Sequence, residues 1–376
     1  GVHIRISPDN PRYTLVELFN RQGINLPRSH ERKVENLFFR EDFRRTDADE
    51  VGKLEFPGRV LDSYVEAFFN YVDTDAILTA RKNVVIDYAY SRLSMFFPSI
   101  FARLGCEMVA LNAYPDHLRI PKTAEDRRIH LDRLSKTVST LKADIGVLIE
   151  SDGERLSLVD ERGRVIEGNT LLAALVWLTL KDATTGKNRG SLEQPLRVAV
   201  TVGATGAVEK IAKDFGAEVF RTRQDPRSLM EFLLRPGQEV LFAGDGDGGF
   251  IFPRFQPAFD AMFTLAKVFQ FLAAEGLELS SVVDSLDIPP MVRRAVACPW
   301  EHKGRVMRVL AQESEGTRRE FIDGLRIFRD DGWVLVLPDP AEASVHIYSE
   351  ASTHEAAFEY AERLTERINE IAGFGE

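Results

Sequence analysis

The chain has 376 residues, a mass of 42.4 kDa and a hydrophobic fraction of 44%. That is material for two to four domains at ~100–200 residues each, and it excludes a fibrous, disulfide-stapled or mainly disordered chain. The formal charge is 48 − 58 = −10, which argues against nonspecific nucleic-acid binding, because that binding draws on Lys and Arg against phosphates.

The first residues, VHIRI, read as a strand. The turn-prone SPDNP, the segment TLVELF and the charge-rich, helix-like RSHERKVENLFFREDF come next. A polar linker carries Asp47, Asp49 and Glu50. From Arg59 the apolar spacing turns helical in VLDSYVEAFFNYV. NVVIDYAY, CEMVALNAYP and DIGVLIES read as strands separated by the helices MFFPSIFARLG and HLDRLSKTVSTLKA. The order β-α-β-α-β implies a parallel sheet with right-handed crossovers, closed by the apolar helix GNTLLAALVWLTL.

Near Ser191–Arg197 the pattern restarts. RVAVTV, AEVFRT and QEVLFAG are predicted strands, GAVEKIAKDFG and SLMEFLLRPG helices, and FDAMFTLAKVFQFLAAEG a second closing helix. A repeat of this size indicates duplicated domains. After Pro299 the character changes. GRVMRVLAQES reads as a strand or a helix start, DGLRIFRDDGWVLVLP as two strands turning at Asp330–Gly332, SVHIYSEAS as a third, and HEAAFEYAERLTERINEIAG as an amphipathic helix.

Two cysteines, Cys106 and Cys298, make neither a disulfide framework nor a metal site, and they point to a reducing, cytoplasmic compartment. No run reaches the ~18–20 apolar residues of a membrane span, so no membrane partner is expected. A basic start followed by an apolar run, the mark of a signal peptide, is not found. His117, His130, His302 and His354 lie in polar surroundings with no ligand spacing.

Four loops carry chemistry. Gly244-Asp-Gly-Asp-Gly-Gly249 formally matches the dinucleotide motif, but FIFP follows where a helix must open. An EF-hand fails at Gln256, where a bidentate Glu belongs. The loop is then either a glycine-rich turn or a substrate loop presenting Asp245 and Asp247 at the carboxyl end of a sheet. VGATGAVEKI lacks the third Gly and the Lys-Ser/Thr of nucleotide loops and reads as a tight turn into a helix. Glu150, Asp152 and Glu154 stand at i, i+2 and i+4 after a strand. They can converge on one Mg²⁺ with Arg155 anchoring an anion, or form a solvated acidic turn. Ser7 is, on its own residues, a turn serine.

Together these pieces resemble the α-D-phosphohexomutase family, the phosphomannomutases and phosphoglucomutases, over nearly the whole chain. The resemblance implies tandem α/β domains with mixed or parallel sheets plus a small C-terminal α+β domain. The expected boundaries are 1–57, 58–185, 186–292 and 293–376. The first domain is then about half present, and the sequence is expected to be part of a longer protein.

By the same resemblance, GVHIRISPDNP is similar to the phosphoserine loop T-A-S-H-N-P, with Ser7 at the serine and Arg5-Ile6 in place of Thr-Ala. Glu150, Asp152 and Glu154 stand for the aspartates of the Mg²⁺ loop D-x-D-x-D-R, with Arg155 kept. Asp245 stands for the Glu that grips sugar hydroxyls, Asp247 for the loop's Ser, Gly249 for its His, and Arg227 for a catalytic Lys. In DGWVLVLPDPAE the phosphate loop R-P-S-G-T-E-P has Leu337 for Arg, Asp339 for Ser and Ala341 for Thr, with Glu342 kept. An Arg stays protonated and makes a poor proton shuttle. Losing an Arg–phosphate contact removes charge-assisted hydrogen bonds of about 1.5–3 kcal/mol each.

The implied function is hexose-phosphate isomerisation by phosphoryl transfer through Ser7, with Mg²⁺ and a hexose phosphate, in sugar-nucleotide metabolism. The altered loops point to activity that is weak or lost. The segment GINLPRSHERKVENLFFREDFRR resembles mutase-like modules attached to bacterial sugar nucleotidyltransferases, such as mannose-1-phosphate guanylyltransferase or NDP-sugar synthase. The alternative is therefore a non-catalytic scaffold or regulatory module of a sugar-1-phosphate nucleotidyltransferase. A homo-oligomer is compatible with either.

Overall fold

The computed structural model describes residues 1–6, 13–185 and 195–373. In chain order its elements are β1 (Val2–Ile6), β2 (Thr14–Leu18), α1 (Arg28–Phe39), α2 (Val60–Asn70), α3 (Thr74–Ala80), β3 (Asn83–Asp87), α4 (Phe97–Arg103), β4 (Glu107–Leu111), α5 (Ala124–Leu141), β5 (Ile145–Ile149), β6 (Leu156–Asp160), β7 (Val165–Ile166) and α6 (Gly168–Thr185). There follow β8 (Arg197–Thr201), α7 (Ala207–Asp214), β9 (Glu218–Thr222), α8 (Pro226–Leu233), β10 (Phe242–Gly244), β11 (Phe250–Ile251), α9 (Ala261–Glu275) and α10 (Leu279–Asp284). The last are β12 (Met291–Ala297), α11 (Trp300–Glu313), β13 (Arg319–Glu320), β14 (Leu325–Arg329), β15 (Gly332–Pro338), β16 (Ser344–Ala351) and α12 (His354–Ala372). Among the described residues no helix is long and apolar enough to cross a membrane.

The chain divides into two units. One comprises Gly1–Ile166, Met230–Glu239 and Gly249–Ser280. Its main sheet has the order β4-β3-β5-β6-β7. β3, β4 and β5 are parallel, as the alternation with helices predicts. β6 and β7 add an antiparallel hairpin that sequence reading leaves inside a loop. β6 escapes notice because all five of its residues are buried, so no alternation betrays it. α5 starts on a capping box between Thr123 and Asp126 and lays Leu131, Leu134 and Val138 on β5. Gly146 permits that approach, since a Cβ there would come within 2.5 Å of Val138 Cγ2. Each fully buried aliphatic side chain stabilises this layer by about 1.5–3 kcal/mol before chain entropy is counted. β1 and β2 form a separate antiparallel pair.

The second unit comprises Glu167–Leu229, Val240–Gly248 and Ser281–Glu376. β8 pairs in parallel with β9 and β10, repeating the first unit's pattern. The C-terminal sheet is antiparallel, in the order β12-β16-β15-β14-β13. Its core joins Val334, Val336, Val345 and Ile347 to Leu310 of α11 and to Leu364 and Ile368 of α12. GRVMRVLAQES resolves as part of helix α11. The sequence does not mark β12 as a strand, because Arg293 and Arg294 interrupt its apolar residues.

Candidate functional site

The acidic hairpin belongs to the first unit. β5 ends at Ile149 and β6 begins at Leu156, so Glu150–Arg155 form the turn. The Glu150 N–H donates to the Arg155 carbonyl at 2.9 Å, and the Gly153 N–H to the Glu150 carbonyl at 2.9 Å. Gly153 takes φ +79°, a left-handed conformation that an L side chain rarely adopts. The Asp152 carboxylate accepts the Glu154 N–H at 3.0 Å. Its other oxygen lies 3.8 Å from the guanidinium of Arg5, at the end of β1. Arg5 also donates to Glu17 at 3.1 Å. Glu150 lies 3.7 Å from Arg127 of α5. Burial first, and then the charge of Asp152, push the Glu154 carboxyl up, against the pull of Arg155 and Arg5. The Arg155 guanidinium stands 5.4 Å from the centre of the Phe259 ring.

The three carboxylates thus share one turn, but each has a different environment. Among the described residues no group of three His, Cys, Asp or Glu side chains is arranged to hold a metal ion. Carboxylate oxygen is the right donor for Mg²⁺. Its distribution here, with Glu150 and Asp152 each beside an arginine, does not fit a three-carboxylate ligand set. Ser7 lies outside the described residues.

Two further loops belong to the second unit. Asp245 is buried, and its carboxylate accepts the Asp247 N–H at 2.7 Å, closing the turn from within. Thr201 Oγ1 donates to the Asp245 carbonyl at 2.8 Å. Asp247 forms an ion pair with Arg293 of β12, whose guanidinium carbon is 5.1 Å from the centre of the Tyr348 ring. Arg227 sits in the first turn of α8, and its N–H donates to Asp225 at 3.2 Å.

The loop between β15 and β16 is built around Asp339. Its Oδ1 accepts the N–H groups of Ala341 at 2.7 Å and Glu342 at 2.8 Å. Its Oδ2 lies 2.7 Å from His346 Nε2. Burial pushes the Asp339 carboxyl up, but the His346 bond and the two N–H groups outweigh it and hold it below its usual range. Lys303 of α11 is buried, and its Nζ donates to the carbonyls of Asp339, at 2.6 Å, and Glu342. Leu337 is buried in a cluster with Val202, Trp333 and Leu335.

Asp247 and Asp339 both act on Tyr348. Its phenol is pushed up by burial first; Arg293 opposes this, and Asp247, Asp339 and Asp323 reinforce it. Sequence reading missed Arg127, Lys303, Arg293 and His346 as members of these loops. Only Arg5 stood out, as a departure from the phosphoserine loop. His130, read as lying in polar surroundings, is buried with Nδ1 2.8 Å from Asp87.

Repeated parallel α/β layers, an acidic hairpin after the third strand, a glycine loop after a later one and a C-terminal antiparallel sheet define a phosphohexomutase-type scaffold. Comparison with known proteins agrees. Residues 62–163 match the model for phosphoglucomutase/phosphomannomutase, alpha/beta/alpha domain II, and residues 167–287 that for domain III. A phosphoglucomutase/phosphomannomutase of Thermococcus kodakarensis is 32% identical over 363 residues, 96% of this chain and 77% of that protein. A probable phosphoglucosamine mutase of Pyrococcus abyssi is 30% identical, over 97% of this chain and 78% of that protein. A phosphoglucomutase/phosphomannomutase family protein from Burkholderia thailandensis shares the fold, with a TM-score of 0.80 at 19% identity over 98% of this chain and 76% of that one. The chain belongs to the phosphoglucomutase/phosphomannomutase family.

Proposed function

We propose that this chain is a phosphohexomutase-family module acting on hexose phosphates in which isomerisation is weak or lost. The observation that carries this reading is the acidic hairpin, where Arg5 and Arg127 stand beside Asp152 and Glu150. Phosphoryl transfer depends on positioning and on neutralising the phosphoryl oxygens. A carboxylate beside an arginine is poorly placed to hold a shared Mg²⁺ as well, so no step is assigned to the metal. Ser7 would be the phosphoryl carrier, and the four expected domains belong to the same proposal. Hexose phosphate, including its amino-sugar form, is the substrate class.

The test is a coupled assay of glucose 1-phosphate, mannose 1-phosphate and glucosamine 1-phosphate isomerisation, with Mg²⁺ and a hexose bisphosphate activator. Turnover at background level, equal in wild type and Ser7→Ala, is expected. Mg²⁺-dependent turnover at an ordinary enzymatic rate, about 1 per second or faster, that disappears in Ser7→Ala would overturn the reading.

A second reading, a non-catalytic partner of a sugar-1-phosphate nucleotidyltransferase, draws on the segment that follows β2. α1 buries none of its residues, and Phe38, Phe39, Leu54 and Phe56 are exposed. Such apolar exposure is typical of an interaction surface. Under this reading, adding the module to a sugar-1-phosphate nucleotidyltransferase changes the transferase rate, and Phe38→Ser with Phe39→Ser abolishes the change. An unchanged rate counts against it.

A further inference from the structure

We infer that Asp339 is a built-in anion: its carboxylate occupies the backbone donors of the β15–β16 loop and excludes phosphate from them. The inference rests on the reading of this loop as the family's phosphate-type loop, and it adds the residue that sets the loop against its ligand.

The loop is well made for an anion. Its ends are pinned by the pairs Leu337↔His346 and Pro338↔Val345 and by the Asp339 N–H donating to the Ser344 carbonyl at 3.1 Å. Successive N–H groups at Ala341 and Glu342 turn toward one point, and the His346 imidazole approaches it from β16. Lys303 of α11 donates to the carbonyls of Asp339 and Glu342, tying down the loop on both sides of that pair of N–H groups. Convergent backbone N–H groups of this kind form anion-binding concavities. Here the anion is supplied by the loop itself. Oδ1 takes both backbone donors and Oδ2 faces the imidazole, so the donors nearest a phosphate are engaged before it arrives. A phosphate brought there would displace a fixed carboxylate or lie beside it, and like charges at that range repel strongly.

Leu337 works in the same direction by a different route. It is part of the apolar cluster with Val202, Trp333 and Leu335, so this end of β15 offers packing where the family motif offers a guanidinium. Removing Asp339 therefore frees the Ala341 and Glu342 N–H groups and His346 and takes away the negative charge that sits on them, without disturbing that cluster.

The experiment uses the full chain as wild type, Asp339→Ser and Asp339→Asn. Inorganic phosphate and glucose 1-phosphate are the probes, added in a phosphate-free buffer. Binding is followed by calorimetry and by the amide resonances of Ala341 and Glu342. Wild-type amides are expected to stay still. In Asp339→Ser they should shift on titration, with phosphate affinity at least about tenfold above wild type, as loss of one charge-assisted contact implies. Asp339→Asn keeps a carbonyl oxygen that binds the turn N–H groups firmly, whereas the Ser hydroxyl holds them more weakly, so Asn should gain affinity to a smaller degree. Phosphate shifting the wild-type amides as readily as the variant's would overturn the inference. So would a folded Asp339→Ser whose amides do not respond. If that variant does not fold, an unresponsive Asp339→Asn overturns it instead. Mutase turnover in the wild type would sink the reading of weak activity without moving these amides, so the two failures are separable.

Discussion

Asp260 offers the sharpest test of the first unit's core. It caps α9, where Oδ1 accepts the Phe263 N–H at 2.8 Å. Oδ2 accepts the Tyr64 hydroxyl at 2.9 Å and the Gln256 amide at 2.8 Å. Around it the rings of Phe255 and Phe263 stack 4.0 Å apart, with Phe68 edge-on. Burial dominates and pushes the carboxyl from 3.8 up to about 6, against the Phe263, Tyr64 and Met262 hydrogen bonds that favour the anion. The folded chain thus binds this proton more tightly than the unfolded chain. Stability from it is complete below pH 3.8 and is lost as pH rises through about 6. At about 1.4 kcal/mol per pK unit, the loss is about 3 kcal/mol.

Asp260→Asn imitates the protonated group and remains a good N-cap. It loses about 1 kcal/mol at low pH, because its amide meets the Gln256 donor. The stability of the variant relative to wild type should then rise by about 2–2.5 kcal/mol between pH 4 and pH 7. Urea titrations followed by far-UV circular dichroism, with amide exchange at Phe263, measure the difference at each pH. Tryptophan fluorescence does not serve here, since Trp177, Trp300 and Trp333 all belong to the second unit. A difference that stays flat across this range refutes the assignment of Asp260 as a buried, proton-holding cap.

Two other perturbations address the second unit. Buried Glu350 accepts the Gly206 N–H at 2.9 Å, at the start of α7, and the Trp333 indole N–H at 2.7 Å. Glu350→Ala leaves both donors buried without their acceptor and should cost about 2–5 kcal/mol, read by tryptophan fluorescence in urea. A cost below about 1 kcal/mol would show that water replaces the carboxylate. Arg221 donates to the carbonyls of Thr201, Val202 and Ala204 through one nitrogen and to Thr205 and Glu209 through another. A lysine has one compact head and cannot span that fork, so Arg221→Lys should destabilise by about 2–4 kcal/mol. Charge alone would suffice if amide exchange in the loop 201–206 were unchanged.

The succession of elements is readable without the fold. Apolar runs such as IGVLI and RVAVT, and helical spacing such as that of α5, are local properties, and local stiffness and burial convert them directly into strands and helices. The turn at Asp330–Gly332 and the parallel order of β3, β4 and β5 were legible for the same reason. Three strands were not. β6 is buried throughout, β12 carries two arginines and β7 has two residues, so none shows a period long enough to read. The partner of each charge, by contrast, is set by long-range packing. Asp152 meets Arg5, which lies far away in sequence, because β1 ends beside the acidic hairpin. The Asp245 carboxylate is turned inward to close its own loop. Asp339 takes the Ala341 and Glu342 N–H donors of its own loop. A carboxylate in a sequence is only a charge and a length. Whether it holds a metal, a ligand or its own backbone depends on which donors the fold brings within about 3 Å of it.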